Sequence, residues 1–380
     1  MIHADLDYII SKRRELHRIP ELGFELTKTL EFVRNELKAL GVSFTEELGK
    51  SSIVATINPD SNGKVIAIRA DMDALPINEK TGLPFSSLHP GKMHACGHDC
   101  HTAMLLGTAK MLNEMKEKLS CKVKLIFQAA EEKGGGASLL CKDGVMKDVD
   151  FIIACHVASG YDTGKVLLNQ SVMNASSRSI MLTLNGKASH VSAPHCGVDA
   201  IAMACRVFND IQIMRAREFN PTKSLVIGFG EIHGGTARNI VCDKVILNGT
   251  VRALDADSDA FATRRIEEIA ASVSKDMGGS YSIECEQFYP VLKNDPDVAD
   301  KLIKIVKERL GEEAFIEKPV NMGAEDFAWY LQEKPGAIFS LGVRKPGTET
   351  VPLHNEKFIP DEEALTIAPE IFTQFVLENM

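Results

Sequence analysis

Three short apolar runs in this chain end on side chains that can carry charge or bind a metal, and this pattern constrains the fold more than any other. Val65-Ile-Ala-Ile68 leads to Asp71 and Asp73, Val123–Phe127 to Glu131 and Glu132, and Phe151–Cys155 to His156. Helical patterns lie around them at Leu6–Arg18, Leu26–Leu40, Ala103–Met115 and Ala137–Cys141. Strands alternating with helices predict an α/β layer architecture, in which ligands bind where strands end. Ser52–Ile57 and Val65–Ile68, flanking the turn Asn58-Pro-Asp-Ser-Asn-Gly63, predict a hairpin.

The grammar changes between Arg178 and Leu292. A strand (Ser179–Leu184), a helix (Val198–Met214), two strands (Leu225–His233 and Ile240–Val251), a helix (Asp257–Lys275) and a strand (Tyr281–Glu286) follow in turn. That β-α-β-β-α-β order is the ferredoxin-like unit. At 380 residues the chain suits two domains. The expectation is a discontinuous first domain over residues 1–177 and 293–380, with 178–292 inserted into it. The balance of 43 basic against 52 acidic residues, without a basic stripe, argues against a nucleic-acid partner. No apolar run is long enough to span a bilayer, and the first residues lack the pattern of a signal peptide. Nine cysteines then read as reduced thiols, which points to the cytoplasm.

The chemistry concentrates in Met93-His-Ala-Cys-Gly-His-Asp-Cys-His101. Cys96 and His98 sit two apart, so on an extended loop both side chains leave the same side of the backbone. Thiolate, imidazole and carboxylate are ligands for zinc or a neighbouring divalent ion. His94, Asp99 and His101 stand close enough to compete for that role. Glu131 and Glu132 point in opposite directions on an extended strand, which predicts one for a metal and one for moving a proton. Asp71 and Asp73 alternate onto one face, where a carboxylate can orient a histidine ligand. A lone histidine at His156 or His354 is ordinarily structural; beside this cluster each becomes a candidate ligand.

Taken in order, several motifs resemble the aminoacylase/carboxypeptidase-type family of dinuclear metallopeptidases. They are Arg14-Glu-Leu-His-Arg-Ile-Pro-Glu-Leu22, Arg69-Ala-Asp-Met-Asp-Ala-Leu-Pro76, His94-Ala-Cys-Gly-His-Asp99, Phe127-Gln-Ala-Ala-Glu-Glu132, Gly186-Lys-Ala-Ser-His190, Gly323-Ala-Glu-Asp-Phe327 and Leu353-His354. The match is to its amidohydrolase branch, with hippurate hydrolases, N-acyl-amino-acid amidohydrolases, N-acetyldiaminopimelate deacetylases and auxin-conjugate hydrolases. The resemblance implies a zinc-peptidase-like α/β catalytic domain with an inserted ferredoxin-like (α+β) lid and dimerisation domain. It implies two divalent ions (Zn, Mn, Co or Ni) held by Cys96, His98, Glu132, His156 and His354, with Cys96 as a bridging thiolate. Glu131 would be the general base and Asp73 a supporting catalytic carboxylate. His190 would meet the substrate carbonyl, often across a homodimer interface, and Asn239 and Arg252 the substrate carboxylate. The expected substrate is a small N-acyl amino acid, cleaved at its amide bond, with a dipeptidase or carboxypeptidase of the same metal centre as the rival. The chain departs from the pattern at Ala130, where a proline is expected before the glutamate pair, and at Cys242, where one is expected after the lid asparagine.

Overall fold

The structure, a computed structural model, describes residues 3–133 and 135–380. The chain divides into two compact units. The first comprises residues up to Met173, Lys293–Pro319 and Asp326–Met380; the second comprises Asn174–Leu292 with Val320–Glu325.

The first unit is built on an eight-stranded sheet. Its order is Ser43–Thr45, Ile53–Ile57, Lys122–Gln128, Val65–Asp71, Phe151–Asp162, Gly336–Arg344, Val166–Leu168 and Phe315–Glu317. Four neighbours in the middle, from Lys122–Gln128 to Gly336–Arg344, run parallel. Their inward residues are fully buried, as expected for a parallel sheet covered on both faces. Helices Leu6–His17, His98–Glu114, Pro296–Leu310 and Ile367–Asn379 contribute to the same core. Truncating a side chain at its centre, such as Ile68, to alanine costs about 2–5 kcal/mol through the lost contacts and the cavity left behind.

The expected hairpin between Ser52–Ile57 and Val65–Ile68 does not form. Lys122–Gln128 inserts between the two strands, antiparallel to Ile53–Ile57 and parallel to Val65–Asp71. Phe127, Leu125 and Val123 are completely buried there, and an edge position would have left one flank of that apolar strand open. His156 also lies in mid-strand rather than at a strand end, since its strand continues to Asp162 and pairs His156 with Ser340.

The second unit carries a four-stranded antiparallel sheet in the order Ser280–Tyr289, Ser177–Asn185, Lys244–Ala253, Leu225–Gly234. Helices Ala200–Arg217 and Ala256–Met277 supply its separate apolar core. Alternating burial along Ser177–Asn185 marks a sheet with one covered face. This is the ferredoxin-like arrangement, although the strand expected from Ile240 starts only at Lys244. Among the described residues no helix is long and apolar enough to cross a membrane.

Candidate metal centre

Six potential ligands of the first unit come together. Cys96, His98 and His156 place ligand atoms within 4.8 Å of one another, as do Cys96, Glu132 and His354, and His98, Glu131 and Glu132. Cys96 belongs to two of these groups, so one thiol lies between two possible ion positions.

Cys96 and His98 are not joined by an extended loop. Gly97 between them adopts φ 82°, and the helix begins at His98 itself, five residues earlier than the apolar pattern indicated. A side chain at Gly97 would also meet Val157 at 2.4 Å. Glycine is therefore required twice over, for its backbone and for its size. The glutamate pair also departs from extended geometry: it sits in a turn after Ala130 at φ 56°. Both carboxylates consequently approach His98 instead of facing opposite ways. A proline ring fixed near −65° could not adopt this backbone, so the departure from proline at Ala130 fits the turn.

Asp73 anchors this turn by accepting the backbone N–H of Glu131 at 2.9 Å and of Glu132 at 3.1 Å. It also stands 3.5 Å from His98 Nδ1. Neither ring nitrogen of His98 makes a hydrogen bond among the described residues, although the ring is wholly buried. Asp71 lies 3.7 Å from Nε2, so the ring has acidic neighbours at ion-pair distance but hydrogen-bonding capacity left over, which a bound ion would satisfy.

His156 donates from Nδ1 to the carbonyl of Val157 at 2.8 Å, which leaves Nε2 free of a proton and 3.5 Å from Cys96 Sγ. His354 brings Nε2 to 3.3 Å from the same sulfur and 3.3 Å from Glu132 Oε1. The backbone N–H of His354 bonds to Ala95 O at 2.8 Å, which pins this distant loop beside the thiol. Its φ of 64° is a strained conformation for a residue with a side chain.

The electrostatics fit a cation. Burial pushes the Cys96 thiol well above its ordinary pKa, and coordination deprotonates such a thiol outright. Burial, with the neighbouring His101, pushes His156 down to about 3, so its imidazole is neutral and able to ligate. Burial favours a protonated Glu132, but its contact with His354 and the charge of His98 lower its pKa overall. One thiol, three imidazoles and two carboxylates form a donor set for Zn, Mn, Co or Ni.

Two of the competing ligands, His101 and Asp99, have other partners. His101 gives Nδ1–H to Asp71 at 2.6 Å and accepts the Val157 N–H at Nε2, so both nitrogens are used. Asp71 is held in turn by Arg69 at 2.8 Å, and Arg69 by Asp326 at 2.5 Å. Asp99 pairs with Arg13 and His17. His94 is buried with neither nitrogen bonded among the described residues. Sequence spacing hid these supports, although Arg69, Asp326 and His17 all belong to the motifs that carry the resemblance.

The remaining candidates lie in the second unit. His190 and Asn239 are neighbours, since Val191 N–H bonds to Asn239 O at 3.0 Å and His190 pairs with Ile240. His190 Nδ1 accepts the Ser192 N–H at 3.2 Å, which directs an Nε2–H outward when the ring is neutral. Arg252 sits opposite Val226, near the other end of the strand that starts at Lys244. It is half-buried, and that burial lowers its pKa. Arg252 lies eight positions after Lys244, roughly 25 Å along a strand. His190 lies beyond the Lys244 end.

Residues 67–378 match the model of peptidase family M20/M25/M40. Thermostable carboxypeptidase 1 of Saccharolobus solfataricus is 37% identical over 95% of this chain and 92% of its own length. N-acetyldiaminopimelate deacetylase of Geobacillus sp. is 34% identical over 95% of each chain. Among solved structures, a dinuclear metal-binding peptidase of the M20 family from Bacillus subtilis superposes with a TM-score of 0.85 at 31% identity, covering 99% of both chains.

Proposed function

The chain belongs to peptidase family M20/M25/M40, as a metal-dependent hydrolase of amide bonds, and from that premise we propose that it cleaves N-acyl amino acids to a carboxylic acid and a free amino acid. The observation that carries this reading is the convergence of His156, His354 and Glu132 on Cys96, with Glu131 beside His98. Cys96, His98, Glu132, His156 and His354 would hold two divalent ions, with the Cys96 thiol common to two of the ligand groups. Bound ions supply charge stabilisation and lower the pKa of water toward about 7.

Glu131 is the general base. Asp73 fixes its backbone, so the carboxylate is held ready before substrate arrives. It accepts the proton of the attacking water and delivers it to the leaving amine nitrogen, on which the free amino acid departs. Asp73 also keeps the His98 ring oriented from its Nδ1 side.

His190 is assigned to the substrate carbonyl, where an Nε2–H stabilises developing negative charge. Asn239 and Arg252 are assigned to the substrate carboxylate, for which a guanidinium offers two parallel hydrogen bonds. His190 and Arg252 lie too far apart within one unit to touch the same small molecule. Their separation supports a homodimer in which one substrate meets His190 and Asn239 of one copy and Arg252 of the other. Nine unpaired cysteines support a reducing compartment, the cytoplasm.

The test is amino acid release from N-acetyl, N-benzoyl and N-indoleacetyl amino acids and from dipeptides. It is run on metal-stripped protein before and after adding Mn, Zn or Co. Release from the acylated amino acids alone, restored by metal, is expected. Preferential dipeptide cleavage would replace this reading with a peptidase, as the name of the Saccharolobus relative suggests.

A further inference from the structure

The segment Arg13–Leu22 has no part in the chemistry above, yet its side chains reach the ligand loop. Arg13 and His17 lie one turn apart on the helix Leu6–His17, so they share a face. Both meet one oxygen of Asp99: Arg13 Nε at 2.8 Å and His17 Nδ1 at 2.8 Å. Asp99 directly follows His98 in the first turn of the helix His98–Glu114. On its other side, His17 Nε2 is 3.3 Å from Glu79 Oε1. Glu79 also accepts the Ser87 N–H at 2.7 Å and the Thr81 hydroxyl.

The groups around Asp99 are nearly sealed from water, while Glu79 is half-buried. Arg13, His17 and Asp99 are 1% exposed. The two carboxylates only accept, so both His17 nitrogens carry protons and the ring is an imidazolium. Burial opposes that charge, and Asp99 and Glu79 more than offset it, raising the pKa of His17. Burial alone would raise Asp99, but Arg13 and His17 hold it well below the carboxylate range. Arg13 Nη2 also comes within 3.3 Å of His17 Nδ1. With that N–H committed to Asp99, this is a close approach of two cations bridged by one anion. Phe85 meets the His17 ring edge-on at 6.0 Å, and His94 lies 6.4 Å away. Burial pushes His94 down to about 3, so it adds no charge.

We propose that His17 is a positioning residue for the metal centre, its Nδ1–H bond to Asp99 fixing the loop that carries Cys96 and His98. The inference rests on the metal reading given above. Groups bonded directly to a ligand typically change metal affinity by 10–100-fold, and His17 acts one step further out, through Asp99 beside His98. Because Arg13 also holds Asp99, the loss expected here is at the lower end, about tenfold.

Two substitutions separate the ends of the ring. Asparagine places its N–H donors near the position of Nδ1, so His17→Asn keeps the bond to Asp99 and loses Glu79. Glutamine reaches toward the position of Nε2, so His17→Gln keeps Glu79 and loses Asp99. Affinity of the stripped protein for Zn is measured by competition with a chelator, beside the melting temperature of the metal-free form. The expected result is about tenfold weaker binding for His17→Gln, with His17→Asn close to the parent. Equal weakening in both would mean that His17 only packs the helix, and no change in either would remove it from the centre; each overturns the proposal. Should a His17 variant fail to fold, Asp99→Asn is read in the same assay, where weaker binding supports the proposal and unchanged binding overturns it. A parent protein that takes up no Zn overturns the metal reading, and this inference with it.

Discussion

The two units hold their candidate functional residues in opposite ways. In the first, His98, Glu132, His156 and His354 gather on the buried thiol of Cys96, with Glu131 beside His98, all from four separated stretches. In the second, His190 and Asn239 stand together beyond one end of an antiparallel sheet, with Arg252 near the other. Topology explains the difference. Parallel strands present all their C-terminal ends on one edge, so loops distant in sequence converge there. An antiparallel ladder keeps residues far apart along a strand far apart in space. A single chain therefore gathers its candidate ligands in one place, whereas the candidates of its second unit lie near opposite ends of a sheet.

The largest expected effect tests the first half of that comparison. Glu131→Gln removes the proton acceptor while leaving the Asp73 bond to the backbone N–H intact. Turnover should fall by about 10²–10⁴ with metal content unchanged. Near-normal turnover would take Glu131 out of the role, and lost metal would make it a ligand instead. The next effect tests the second half. His190→Ala removes a carbonyl donor and should cost about 10²–10³ in turnover. Arg252→Ala should chiefly weaken binding of substrates with a free carboxylate. If the two residues serve one substrate from different copies, mixing the two variants under subunit exchange rebuilds one intact site in each mixed dimer. Activity should recover to about a quarter of the parent level. No recovery on confirmed mixing would place both residues on the same copy or remove one from the site.

Much of this arrangement was legible in the sequence, because strand-to-ligand junctions leave a local trace. Cys96, His98, Glu131, Glu132, His156 and His354 were all candidates, and the structure brings them together. Their backbone was less readable. The spacing of Cys96 and His98 suggested an extended loop, while Gly97 at φ 82° and a helix starting at His98 do the work. The divergence expected for Glu131 and Glu132 failed because Ala130 turns the chain. The hairpin failed for a different reason: pairing depends on which strand arrives from elsewhere, and Lys122–Gln128 lies about sixty residues away from its neighbours. Buried ion pairs such as Arg69–Asp326 and Arg13–Asp99 join residues over hundreds of positions or across elements, and no local pattern announces them.

The smallest expected effect concerns how differently the two units are braced. The first unit buries an alternating set of charges beside its ligand loop, whereas the exposed His190 side chain bonds to Ser192 two residues away. Glu79, half-buried, sits at the edge of that set. Burial would raise its pKa, but bonds from His17, Thr81 and the Ser87 N–H bring it to about 2, against 4.5 ordinarily. A carboxyl lowered on folding adds stability that is fully present above pH 4.5 and lost as pH falls toward 2. Glu79→Gln should therefore destabilise the first unit at neutral pH, by on the order of 1 kcal/mol after solvent screening. The difference from the parent should shrink between pH 4.5 and 2. Hydrogen exchange followed unit by unit over that range checks this. Protection should change in the helices Leu6–His17 and His98–Glu114 and stay constant in Ala200–Arg217 of the second unit. An equal response in both units would mean that their stabilities are coupled, and the contrast between a braced centre and an independent second unit would no longer stand.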